Sequence, residues 1–225
     1  MDTKLNLYTY MQFLGHGNPD NKIWFIGIEE GGDIGDKETF EDVLKKRQNN
    51  KYLFMENSNQ KTQVWDIISN LMNEVTQKFD RGNMFDEHTS SFFLSNLFPL
   101  PKPNISNEKL SEYSQYFGDD ILDYYKYLSL VRSERYPIIY DVWKEKNPLL
   151  TICFGSNYHT EFINLLDLGH SKFTSILNGK LFYYKTEKVL LCPFFNYRFV
   201  NKDILEEIKM YIENMYNESA MHLIA

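Results

Sequence analysis

The segment "WFIGIEEGGDIG", residues 24–35, runs an apolar stretch into a glycine turn that carries two adjacent carboxylates, Glu29 and Glu30, with Asp33 and Asp36 close behind. Gly27, Gly31 and Gly32 let backbone approach a bound molecule closely, because glycine has no Cβ to clash. A carboxylate held in such a turn can serve as a base, orient a water or bind a metal ion. The same pattern also describes an ordinary strand-to-helix turn with solvated acids, so the turn alone leaves both open.

Two further places carry recognisable chemistry. In "FLSNLFPLP", Asn96 follows an apolar run and precedes a proline-containing loop. Its amide offers donors and an acceptor that can read the edge of a base, or it can shape the turn through neighbouring backbone. In "CPFFNYRF", Pro193, Phe194, Phe195, Asn196, Tyr197 and Arg198 combine rings that can stack on or wedge between bases with a cation that can hold a phosphate. Rings also cap cores, and at least two of the four aromatics at 194, 195, 197 and 199 are expected to do so. The histidines at 16, 88, 159, 170 and 222 show no metal-ligand spacing. His159, in "GSNYHTEF", is expected to start a helix. Cys153 and Cys192, both in apolar runs, read as reduced buried thiols and are too few for a four-cysteine metal or cluster site.

The elements that must position these groups are legible as alternating periods. "NKIWFIGI", "SSFFLSNLFPLPKP" and "PLLTICFG" read as buried strands, and "GKLFYYKT" with "KVLLCPFF" as two closely spaced ones. "KTQVWDIISNLMNEVTQKF" has apolar residues at helical spacing. "DKETFEDVLKKRQNN", "DDILDYYKYLSLVRSERYPIIYDVWKEKN", "SNYHTEFINLLDLG" and "NKDILEEIKMYIENMY" also read as helical, with a break or new first turn at Pro137 and a glycine stop at Gly169. Strands alternating with helices predict an α/β fold, a three-layer α/β/α sandwich with a mainly parallel central sheet. Ligands collect beyond the carboxyl ends of such strands. That rule selects residues 27–32, 96–101, 155–159 and 193–198.

Composition narrows the classes. The 225 residues are 43% hydrophobic and 24% charged, which suits one globular domain spanning 1–225 and not a disordered chain. No signal peptide or bilayer-length apolar run is evident, so a cytoplasmic protein with no membrane partner is expected. A net charge of −7 argues against a protein that coats nucleic acid. The charge is polarised, however: residues 29–42 hold seven acids and one base, and residues 170–202 hold six Lys and Arg and one acid.

In order and spacing these pieces resemble the uracil-DNA glycosylase superfamily. "GNPDNKIWFIGIEEGG" is similar to the segment in which a Gly-Asn-Pro-type lead enters a strand ending in a G-E-A-P-G or G-I-N-P-G turn. "FFLSNLFPLPKP" resembles the strand that ends in a base-recognising Asn, "LLTICFGSNYHTEF" a later strand ending in Gly before a helix, and "KVLLCPFFNYRF" the H-P-S motif with its intercalation loop. The resemblance runs from about residue 15 to the C-terminal helix. It implies that Gly27 and Gly31 bound the catalytic turn, that Glu29 is the water-activating carboxylate, and that Glu30 stands beside it where the family has proline. It further implies that Asn96 reads the base, that Phe40 stacks on it, and that residues 193–198 contact DNA. Pro193 matches the proline of H-P-S, which puts Cys192 where the family has its histidine.

The implied activity is hydrolysis of the N-glycosidic bond of a flipped base in DNA, with no cofactor, in repair or in defence against foreign DNA. Without the histidine the leaving base needs other activation, so a modified base is expected in place of plain uracil. Two other classes stay open: metal-dependent phosphoryl chemistry on the acidic turn, and a non-catalytic nucleotide or nucleic-acid binding module on the same fold.

Overall fold

Five-residue runs such as "IWFIG", "FFLSN" and "LTICF" are buried along their whole length, the pattern of strands covered on both faces. The computed structural model of the chain describes residues 7–29, 46–47, 50–53, 63–76, 90–100, 113–114, 117–118, 121 and 123–222. These form α1 (Leu7–Gln12), β1 (Gly15–Gly17), β2 (Ile23–Gly27), β3 (Tyr52–Leu53), α2 (Gln63–Thr76) and β4 (Phe92–Asn96). There follow α3 (Tyr124–Leu130), a π-helical turn (Val131–Arg135), α4 (Tyr136–Lys146), β5 (Leu150–Phe154), a 3₁₀ turn (Ser156–Tyr158) and α5 (His159–Leu165). β6 (Thr174–Ile176), β7 (Leu181–Tyr184), β8 (Val189–Cys192) and α6 (Lys202–His222) complete the described elements.

The eight strands make one mixed sheet in the order β3-β1-β4-β2-β5-β8-β7-β6. Its centre, β4-β2-β5-β8, is parallel throughout. Antiparallel pairs flank it, β1 on β4 at one side and the β8-β7-β6 meander at the other. Tyr10, Met11, Tyr127, Val131, Ile139, Trp143 and Phe162 from α1, α3, the π turn, α4 and α5 pack on one face. Ile67, Ile68, Met72, Ile204, Ile208 and Ile212 from α2 and α6 pack on the other. The expected α/β layering is therefore present, with helices over both faces. Two buried indoles are paired: the Trp24 N–H donates to the Pro19 carbonyl at 3.0 Å and that of Trp143 to Thr151 Oγ1 at 2.8 Å.

Several local expectations are refined. Asp167, not Gly169, stops α5: it takes φ 52°, and Leu168 N–H reaches back to the Ile163 carbonyl at 2.9 Å, closing a Schellman turn. Asp carries the left-handed conformation because its short polar side chain tolerates it better than a branched one. Pro137 does not break the helical stretch. It is the second residue of α4, just after a π turn in which Tyr136 N–H donates to the Val131 carbonyl, five residues back. The helix expected over residues 36–50 lies largely outside the described residues. Among the described residues no helix is long and apolar enough to cross a membrane.

Candidate functional site

Because the four central strands are parallel, their last residues, Gly27, Asn96, Phe154 and Cys192, come together at one edge of the sheet. Gly27 and Asn96 are register partners. A Cβ on Gly27 would lie 2.5 Å from Asn96 Oδ1 and 2.7 Å from Phe154 Cζ, so glycine here opens the space that the Asn96 amide and the Phe154 ring occupy. Asn96 is 7% exposed, and its side-chain amide makes no hydrogen bond to another described residue. Turn-shaping by that amide, one of its two expected roles, is thus not what it does among these residues.

Past Gly27 the chain continues beside the segment after β4. Leu97 N–H donates to the Gly27 carbonyl at 3.0 Å and Phe98 N–H to the Ile28 carbonyl at 2.8 Å. Ile28 packs over Gly155, whose φ of 142° and closeness to Ile28 Cδ1, 2.6 Å from an added Cβ, exclude a side chain. These contacts hand Glu29, which is half-buried, to the same edge as Asn96. Phe98 stacks on Tyr127 at 6.0 Å between centroids and meets Tyr158 edge-on at 5.6 Å. Burial above all, with a smaller push from the negative charge of Glu29, raises the pKa of the Tyr124, Tyr127 and Tyr158 phenols, which stay protonated at neutral pH. The charge of Glu29 is therefore felt by a rim of protonated tyrosines. Glu30, Gly31 and Phe40 lie outside the described residues, as do Asp33 and Asp36. Among the described residues no group of three or more His, Cys, Asp or Glu could hold a metal ion.

Two arginines from the π turn brace this edge. Arg132 grips Glu161 of α5 with two nitrogens, the Nε–Oε2 contact being 3.0 Å, and Tyr136 Oη donates to the same carboxylate at 3.0 Å. Glu161 is buried, so the paired charge offsets the desolvation of its carboxylate. Arg135 is 1% exposed and points inward to backbone carbonyls behind the site. Sequence reasoning did not single out Arg132, Arg135, Glu161 or the three tyrosines. A signal existed for Arg135: it continues the buried i, i+4, i+8 stripe of Tyr127 and Val131, where an arginine is out of place unless it has buried acceptors.

The loop after β8 divides in a way its composition does not announce. Pro193 is buried, and Phe195 is wholly buried and lies flat on Phe154 at 4.6 Å and 2°. Expected to contact DNA, both instead seal the core at the sheet edge. Phe194 is half-buried against Phe154 at 6.1 Å, so Phe194 and Phe195 are the aromatics turned to the core. Asn196 works locally: its Oδ1 accepts the Arg198 N–H at 2.8 Å, and its carbonyl accepts from Phe199 and Val200. Tyr197, at 54% exposed, and Arg198 stand outward, beside Phe199. Cys192 is no substitute for a histidine donor. Its thiol is buried on the α2/α6 side, donates to the Cys153 carbonyl at 3.4 Å, and is pushed to a higher pKa by burial. His159 is the first residue of α5, as expected, with Nε2 3.4 Å from the Cys192 carbonyl and its ring edge-on to Phe182. Burial lowers its pKa, partly offset by that carbonyl.

The edge thus joins one carboxylate, one amide without a hydrogen-bond partner among the described residues, a tyrosine rim and a projecting Tyr-Arg loop. A search against protein-family models finds none that matches the chain, and no curated protein matches it either.

Proposed function

We propose that the chain is a DNA base glycosylase of the uracil-DNA glycosylase type, acting on a modified base. What supports this above all is the convergence of Glu29 and Asn96 at adjoining strand ends, with Gly27 leaving room for the amide. Cleaving an N-glycosidic bond develops positive charge on the sugar; the Glu29 carboxylate stabilises that charge and takes a proton from the attacking water. The electron pair of the broken bond leaves with the base. Asn96 presents donors and an acceptor to the edge of that base, and the exposed Tyr197 and Arg198 offer a ring and a cation to the strand it left. Neither the buried thiol of Cys192 nor a histidine at that position assists departure, which favours a base that is already a good leaving group.

The test is abasic-site formation on duplexes and single strands carrying modified and unmodified bases, with wild type and Glu29→Gln. Turnover on a modified base, lowered at least about 10²-fold by Glu29→Gln, is expected. No abasic sites on any substrate, with wild type and variant indistinguishable, sinks the proposal. Binding to DNA that survives Glu29→Ala without turnover identifies a non-catalytic module instead.

A further inference from the structure

β4 loses its β1 partner at the residue before Asn96: the β1 ladder pairs Gly15 with Ser95 and goes no further. The carbonyls of Asn96 and Leu97 are then met from another direction. Arg135 Nε donates to both at 3.1 Å, and Nη2 donates to Asn96 O at 2.8 Å. Nη1 donates to the Met11 carbonyl at 3.1 Å and also to that of Phe13, which ties the same guanidinium to the end of α1. A guanidinium is suited to this because its donors form a rigid planar fork and it stays charged when buried; an ammonium could not hold so many carbonyls in one plane. The π turn supplies the reach. Its extra residue per turn lets Arg132 clasp Glu161 while Arg135, three residues on, enters the core behind Asn96.

We infer that Arg135 is a positioning residue: its hydrogen bonds to the Asn96 and Leu97 carbonyls fix the Asn96 backbone, and so hold the side-chain amide over Gly27. Fixing the peptide planes on either side of Asn96 sets the direction of its Cα–Cβ bond and leaves only the side-chain torsions free. The slot above Gly27, bounded by Phe154, then restricts those. An amide with no hydrogen bond to another described residue is held from behind by the backbone and not by its own polar atoms. Its consequence for base choice rests on the glycosylase proposal; the positioning itself does not.

The experiment uses the full chain with Arg135→Lys and Arg135→Gln, and reads the Asn96 side-chain amide by nitrogen-15 NMR, with exposed Asn164 on α5 as the internal control. In wild type the Asn96 amide should be as ordered as the backbone; in folded variants it should become mobile while Asn164 is unchanged. On substrate, the preference for target over non-target base should fall by up to about 10²-fold in Arg135→Lys. Adding Asn96→Ala to Arg135→Lys should then cost little more than Asn96→Ala alone, which a merely structural arginine would not produce. An Asn96 amide equally ordered in a folded variant, or fully multiplicative effects of the two substitutions, overturns the inference. If wild type attacks no base, the NMR comparison still decides the positioning, and only the glycosylase proposal fails. If both variants unfold, a mobile Asn96 amide in wild type overturns the inference and a rigid one supports it.

Discussion

Gly27 is the residue at which backbone and chemistry are least separable. A methyl group there would meet Asn96 Oδ1 and the Phe154 ring at well under contact distance. Gly27→Ala should therefore displace the amide or the ring, lowering activity much more than Asn164→Ala, a change at an exposed helix position, and costing stability by about 1–3 kcal/mol through overpacking; kinetics alongside urea unfolding check both. Phe195 and its neighbours test how the loop divides. Phe195→Ala should lose about 3–5 kcal/mol, because it removes a fully buried ring stacked on Phe154. Tyr197→Ala and Arg198→Ala should leave stability within about 0.5 kcal/mol. Arg198→Ala should weaken DNA binding at low salt and reduce the slope of log K against log salt by about 0.9, the effect of one lost phosphate contact. Titrating binding from low to high salt separates these cases.

At the scale of elements, the 3₁₀ turn and α5 hold the site's far wall, and His159 is the joint between them and β8. Its Nε2 lies against the Cys192 carbonyl and its ring against Phe182; burial disfavours a charged imidazole there, and the carbonyl offsets only part of that. A histidine whose folded pKa is lowered adds nothing unfavourable above its unfolded value of 6.5, and destabilises the native state as pH falls from that value through the lower folded pKa. Chemical unfolding at pH 8 and stepwise to pH 5 should show wild type losing stability below that value. His159→Asn should lose less over the same interval. Equal losses in the two proteins would mean that His159 is not protonated against the fold. The π turn is the second such joint, because Arg132 and Arg135 fasten α5 and β4 to one stretch of helix.

For the whole molecule, the parallel centre of the sheet gathers four strand ends on one edge, whereas the β8-β7-β6 meander scatters the basic stretch of residues 170–202. Lys185 and Lys188 fall in the β7–β8 turn, at the opposite end of β8 from Pro193 and Arg198. Only part of that charge can therefore face the site, so few phosphates are neutralised and DNA binding should fall with a shallow slope as salt is raised. A glycosylase working through Glu29 should also keep its turnover in excess chelator; complete loss, restored by Mg²⁺, would favour phosphoryl chemistry on the acidic turn. By itself the sequence determined the central strands, the helices around them and the nomination of Gly27, Glu29 and Asn96, since apolar period and strand-end position are local properties. It missed α1 and the two-residue β3, as well as β1, a "GHG" with no apolar period, and β6, whose residues are exposed or half-buried at the sheet margin. Only the tertiary structure decided that Phe195 is core while Tyr197 is surface, that Cys192 turns away from the site, and that Arg135 reaches Asn96 from 39 positions along the chain. Each of these depends on which face a side chain meets once distant segments pack, and a one-residue step along a strand or loop reverses it.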